Sequence, residues 1–383
     1  MRIAYITADP GVPVFGSKGC SIHVQEVLRA MAARGAEIVL FATNCTGQKP
    51  AGLGRIRLHP LPVAPKGDLT SREQKCLLAN EPLRAALERE GPFSLVYERH
   101  SLWSFAAMEY ARASGTPGLL EVNAPLIDEQ AEHRGLVDRS SAERAMERAL
   151  NAATALVAVS DEVAEYLASF PAARGKVHVV PNGVNPERFP PDLKPSLPAA
   201  QGMFTVGFTG SMKPWHGLGT LLEAFARLHE KNPDSRLLLV GDGAGRGPLA
   251  AEASARGLGT AVQFTGAVPP SEVPGLLASM DVGVAPYPNS ANFYFSPLKV
   301  YEYMAAARPV VASRVGQLEK LIEPEVTGLL VPPGDVTALA NGLNRIQREP
   351  DLGLRLGQAA RAEVLRNHTW DGAVRRILEL ARV

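Results

Sequence analysis

Long apolar runs are missing from this chain. No stretch approaches the roughly 20 consecutive apolar residues that a bilayer-spanning helix needs, so a transmembrane anchor of that kind is not expected. The opening residues MRIAYITADP meet Asp9 and Pro10 too early to form a signal peptide. Cysteine is scarce. Cys20, Cys45 and Cys76 are scattered, with neither CxxC spacing nor a second ligand type beside them. A disulfide framework and a structural zinc site therefore lack support, and a reducing compartment fits. These absences point to the cytoplasm. An excess of one charge is lacking too: 40 Lys plus Arg stand against 39 Asp plus Glu, and no run of Lys or Arg breaks the balance. A polyanion partner wants a broad basic field, so nucleic acid is not expected. Peripheral contact with a membrane through a local basic patch stays open, although no such patch shows in the sequence.

At 383 residues the chain exceeds the about 250–300 residues at which a single core stops growing, so two domains are expected. The first half alternates short apolar runs, IAYIT, EIVLFAT, IRLHPL, SLVYERH, GLLEVNA, ALVAVS and KVHVVPNG, with helical patterns. In IHVQEVLRAMAARG, Val24, Val27, Leu28 and Met31 recur at helical spacing and Gly35 offers a stop. Strands separated by helices argue for a mostly parallel sheet covered on both faces. The stretch PNGVNPERFPPDLKPSLPAAQG, without either period, marks a boundary. After it the rhythm restarts with FTVGFTG, RLLLVGDG, AVQFTG, DVGVAPY, PVVASRV and TGLLVPPG. The expected class is α/β, with two Rossmann-like, doubly wound parallel-sheet domains facing across a cleft. Their bounds are expected at 1–190 and 203–365, with a terminal helix at 366–383 that either locks the second domain or packs back on the first.

Such sheets bind ligands at the carboxyl ends of their strands, and those ends carry the candidate residues. In DPGVPVFGSKGCSIH, Gly16 and Gly19 bring backbone close to whatever lies there, and the helix start that follows favours an anion. The loop does not match the dinucleotide fingerprint GxGxxG, so a nicotinamide cofactor has little support. YERHSLW brings Glu98, Arg99 and His100 out of an apolar strand, where such groups are costly unless they pair or reach a cleft. EVNAPL puts Glu121 and Asn123 at the end of another strand, before a long helix that either residue could instead cap. In GFTGSMKPWHG, Lys213 and His216 stand where a phosphorylated ligand would meet both a charge and the amino end of a helix, beside Gly210 and Ser211. VGDGAGRGPL, with Gly241, leaves room for a base or diphosphate but lacks the Lys and hydroxyl pair of a phosphate loop.

SPLKVYEYMAA is the most informative stretch. Ser296 suits a helix cap and Pro297 its first position. Lys299 near a helix start opposes the local dipole unless an anion offsets it. Glu302, three residues on, offers a carboxylate fork that suits the vicinal hydroxyls of a ribose. Ordinary packing is the competing account of the same residues.

The ordered set formed by the glycine loop, EVNAPL, VVPNGVN, FTGSMKPWHG, VGDG, FYFSPLKVYEYMAAARPVVAS and TGLLVPPGD resembles glycosyltransferase family 4, retaining enzymes of the GT-B fold. The resemblance implies an amino-terminal acceptor side, with Glu98, Arg99 and Glu121 facing it, and a carboxy-terminal donor side. It implies that Glu302 holds the donor ribose and that Lys213 balances the diphosphate. Gly16 and Gly19 would approach that diphosphate from the other domain, and Ser296, Pro297 and Leu298 would line the diphosphate and sugar pocket. Transfer would go from a nucleotide-sugar to a hydroxyl of a glycan, lipid-linked sugar or small metabolite. No metal or other cofactor is expected. Two departures stand out: Tyr294 replaces a common Glu, and Ser211 and His216 replace an Arg and a Lys, with His216 expected to help as a cation when protonated. Asn123 stands where many relatives carry a His against the donor sugar. A nucleotide-sugar epimerase of the same architecture and a non-catalytic nucleotide-sugar-binding protein remain as alternatives.

Overall fold

The computed structural model describes residues 1–63, 67–289 and 293–383. Residues 64–66, within the stretch PLPVAPKGDLTSREQKCLLANEP at 60–82 that the sequence offers as a variable rim favouring no particular acceptor, therefore lie outside the described residues. Two parallel sheets organise the chain. The first contains β1 (Arg2–Thr7), β2 (Glu37–Ala42), β3 (Arg57–Pro60), β4 (Leu95–Arg99), β5 (Gly118–Val122), β6 (Ala155–Ala158) and β7 (Val177–Val179), in the order β3-β2-β1-β4-β5-β6-β7. The second contains β8 (Phe204–Thr209), β9 (Ser235–Val240), β10 (Val262–Gly266), β11 (Val282–Ala285), β12 (Val310–Ser313) and β13 (Leu329–Val331), in the order β10-β9-β8-β11-β12-β13. Each apolar run read as a strand falls on one of these. In both sheets the order reverses beside the first strand, which opens a crevice at the strands' carboxyl ends where ligands of doubly wound folds sit.

The chain forms two compact units. One comprises Met1–Asn182, Tyr294–Ser296 and Trp370–Val383, and the other Gly183–Phe293 and Pro297–Thr369. The first core is built on Ile6, Val39, Phe41, Val96, Leu120 and Leu156. The second is built on Val206, Phe208, Leu222, Phe225, Leu239 and Val311. The helix Gly19–Ala33 buries Val24, Val27, Leu28 and Met31, as their spacing predicts. Against it lies the helix Trp370–Ala381, where Arg34 pairs with Asp371 at 2.8 Å and the His23 and Trp370 rings meet edge to face at 5.0 Å.

One expectation changes in detail. EVNAPL does not open a single long helix. The segment folds as two, Leu126–His133 and Arg139–Ala152, because Gly135 turns the chain at φ +81° and Asp138 caps the second helix by accepting from Ser141 N at 2.9 Å. Among the described residues no helix is long and apolar enough to cross a membrane.

Candidate functional site

In the first unit, polar side chains crowd the carboxyl ends of β1, β4 and β5. Glu121 is 2% exposed. Its Oε1 lies 2.8 Å from His23 Nε2 and accepts a hydrogen bond from Asn123 Nδ2 at 2.8 Å, while Oε2 accepts from the Tyr97 hydroxyl. Burial alone would raise this carboxyl. His23, Arg99 and the tyrosine bond outweigh it and hold the group down at about 2, so Glu121 is an anion. Glu98, one strand away, has the opposite fate. It is wholly buried, neither oxygen has a well-aligned hydrogen bond, and burial pushes it up to about 7 against a small opposing pull from Ser104. Beside it, burial and the Arg99 charge push His100 down to about 4, which leaves a neutral imidazole at pH 7.

Several atoms here lack partners among the described residues: the Tyr5 hydroxyl, Thr7 Oγ1, Arg99 Nε, both His100 ring nitrogens and Asn123 Oδ1. Each buried, unsatisfied polar group costs about 1–3 kcal/mol, so a concentration of them at strand ends calls for a polar ligand or bound water. The glycine loop lies nearby in sequence. Gly16 donates to Pro13 O and accepts from Gln25 Nε2 at 2.9 Å, and a Cβ there would press on Pro13 and Ser21. Gly19 is the first residue of its helix, whose first turn carries no acidic residue and no side-chain cap.

In the second unit, the loop after β8 carries basic groups instead. Gly210 and Gly241 both adopt positive φ, +143° and +130°, and a Cβ on Gly241 would lie 2.1 Å from Gly210 O. Only glycine permits that approach of two strand ends. Lys299 fills the adjacent space: a Cβ on Gly210 would sit 3.0 Å from its Nζ. The amine is 3.9 Å from the Phe208 ring centre and 5.4 Å from that of Tyr287. It is 9% exposed and has no hydrogen bond among the described residues, and burial lowers it to about 7. Ser211 is exposed, and its carbonyl faces His216 Nδ1. Because a carbonyl only accepts, Nδ1 carries the proton and Nε2 is left as an acceptor. The condition under which His216 would help, that it be protonated, is not met in this environment. Burial, then Lys299, with a further push from Lys213, hold it near 3 despite the Ser211 carbonyl, so it is neutral at pH 7. Lys213 is exposed, with its amine 5.2 Å from the Trp215 ring centre.

The helix expected to open at Ser296 runs Leu298–Ala305 with Pro297 as its N-cap. The Ser296 hydroxyl does not cap it, since it accepts from Asn182 N at 3.2 Å, and Ser296 O accepts from Asn182 Nδ2 at 2.8 Å. Leu298 starts the helix, and Glu302 meets Arg188 at 2.7 Å, both side chains less than a fifth exposed. Arg188 also donates to Pro270 O. Tyr294, where the resemblance would put a Glu, turns to the first unit: its carbonyl accepts from Ser160 Oγ at 2.9 Å and its hydroxyl donates to Glu129 at 3.3 Å. Arg188, His23, Tyr5 and Tyr97 were not among the sequence candidates. The one available signal was His23, a polar residue on the otherwise apolar face of IHVQEVLRAM.

Residues 17–188 match the family model for Glycosyltransferase Family 4, and residues 203–349 match that for Glycosyl transferases group 1. A D-inositol 3-phosphate glycosyltransferase from Actinosynnema mirum is 30% identical over 94% of this chain and 91% of its own length. The chain belongs to glycosyltransferase family 4. A second relative of this family, the D-inositol 3-phosphate glycosyltransferase of Stackebrandtia nassauensis, is 29% identical over 92% of this chain and 84% of its own length. In fold, sucrose-phosphate synthase from Thermosynechococcus elongatus superposes over 100% of this chain and 98% of its own, with a TM-score of 0.77 at 24% identity. Anabaena HepE, solved in complex with UDP-glucose, covers 100% of both chains at 0.69 and 20%. This family 4 enzyme is thus a glycosyltransferase with the two parallel-sheet units of the GT-B fold. Among its described residues no group of three or more His, Cys, Asp or Glu is placed to hold a metal ion.

Proposed function

We propose that the enzyme moves a sugar from a nucleotide-sugar to a hydroxyl of a glycan, lipid-linked sugar or small metabolite, with retention at the anomeric carbon. The observation that carries the donor reading is the end of β8. There the glycine backbone and the amines of Lys213 and Lys299 form no ion pair with a carboxylate among the described residues, the composition a diphosphate needs. Lys213 offsets the charge that grows on the leaving phosphate. His216, neutral, offers Nε2 as an acceptor to a sugar hydroxyl. Gly210, Ser211 and Gly241 admit the diphosphate, with Ser296, Pro297 and Leu298 beside it. Glu302, oriented by Arg188, accepts the ribose hydroxyls.

The first unit takes the acceptor. Glu98, Arg99 and Glu121 line that side, and Asn123 addresses the transferred sugar. The anomeric carbon–phosphate oxygen bond breaks as the acceptor oxygen bonds on the same face. The acceptor proton passes to the departing phosphate oxygen, so no protein nucleophile is required. Anabaena HepE was solved with UDP and with UDP-glucose, which makes UDP-sugars the first donors to try. Calorimetric titration with UDP, GDP, ADP and dTDP, followed by donor turnover with candidate acceptors, tests the reading. One nucleotide should bind clearly better than the rest, and failure of all four at millimolar concentration overturns it.

A further inference from the structure

We propose that donor binding by this enzyme draws a proton from solvent onto Lys299, whose buried amine is only partly charged near neutral pH in the free enzyme and becomes the fully charged inner counter-charge of the donor's diphosphate. The inference rests on the donor reading above and adds to it a residue and a protonation step.

The geometry is unusual for a lysine. Nζ lies between the rings of Phe208 and Tyr287, beside the Gly210 backbone, with no hydrogen bond among the described residues. Removing an ammonium from water is costly, and the two ring faces offset only part of that cost. The balance shifts the amine toward its uncharged form, in line with its lowering to about 7, so that it is mostly neutral at pH 8. No described group reverses this. Tyr287 packs against it from beyond β11, and the phenol of Tyr303, one turn along, donates to neither acid nor amine but to Val284 O. From the loop after β8 come His216, held neutral, and Lys213, whose proximity helps hold it so. Burial is the sole cause acting on Lys299, so no carboxylate pulls on it.

A buried amine with no hydrogen bond among the described residues, at the head of a helix and at a strand's carboxyl end, is a poor structural element. Methionine would fill the same space without the polar cost. The same amine is well suited to an anion of two or more charges. Protonation then follows from charge neutralisation, and removal of the nucleoside diphosphate returns the proton to solvent. The linkage has a definite sign. Where pH lies below the amine's empty-state value, the amine is already charged and affinity is flat. Above it, affinity falls by up to about tenfold per pH unit until the higher bound-state value is passed.

The test uses the full-length enzyme and whichever of UDP, GDP, ADP and dTDP binds best. Titration calorimetry at about pH 8 in two buffers of different ionisation heat counts protons. The expected result is uptake approaching one proton per nucleotide bound. Lys299→Met should fold at least as stably, bind more than tenfold more weakly and take up none. His216→Gln should leave the uptake in place, and Lys299→Arg should recover affinity without uptake. If a nucleotide binds with no buffer dependence, or if uptake survives in Lys299→Met, the proposal falls while the donor reading stands. If no nucleotide binds, both fall.

Discussion

The two sheets share a strand order and carry opposite chemistry at their carboxyl ends. The first unit gathers two carboxylates, Glu98 and Glu121, with hydroxyls and an amide that have few partners. The second gathers Lys213, His216 and Lys299 around paired glycines, with its acid, Glu302, already joined to Arg188. One backbone plan thus serves two recognition tasks, because the plan sets where side chains converge and the loops decide what they are. Acids and orphan hydroxyls match a hydroxyl-rich partner. Amines over glycine match phosphate.

Mutations can break this contrast on either side. The largest effect is expected for Glu121→Ala, which leaves His23, Tyr97 and Asn123 facing an emptied site and should cost about 3–5 kcal/mol in urea unfolding. Because Glu121 is held below its ordinary value, its contribution is present above about pH 4.5 and lost as pH falls toward about 2. Unfolding in the variant should therefore lose that acid sensitivity. Lys213→Ala should lower turnover by about 10²–10³, beyond any loss of nucleotide affinity measured by calorimetry. An equal loss in both would reduce it to a binding residue.

Glu98→Gln sharpens the comparison between the two carboxylates. With its value raised to about 7, native Glu98 contributes stability that is present below about pH 4.5 and lost as pH rises through 7. The variant should flatten that decline, by about 3 kcal/mol at most, when unfolding is compared at pH 5 and pH 8. Glu302→Gln should weaken nucleotide binding by about 10- to 100-fold with little change in turnover at saturating donor. Unchanged affinity would remove the ribose assignment.

The strands are legible in the sequence because strands covered on both faces read as unbroken apolar runs. IAYIT and RLLLV are examples, and Gly210, Ser211, Lys213, His216 and Lys299 all converge on one such strand end. What is not legible depends on distance along the chain. Arg188 sits in a proline-rich stretch that reads as linker, and only folding brings it 114 positions forward to Glu302. Tyr294 reads as a replaced acid, yet its hydrogen bonds belong to the first unit. The neutrality of His216 comes from burial beside two amines, a property of three-dimensional surroundings that spacing does not carry.

The helix Trp370–Ala381 has a consequence for synthesis. It belongs to the unit begun by Met1, and it covers the helix bearing His23 with Trp370. A ribosome therefore releases the whole second sheet before the first unit has all its parts. The amino-terminal half waits, with the His23–Glu121 pair less protected, until residues made some two hundred positions later arrive to seal it. Cutting the gene between the sheets would leave one fragment without its closing piece and the other with a helix that has lost its seat.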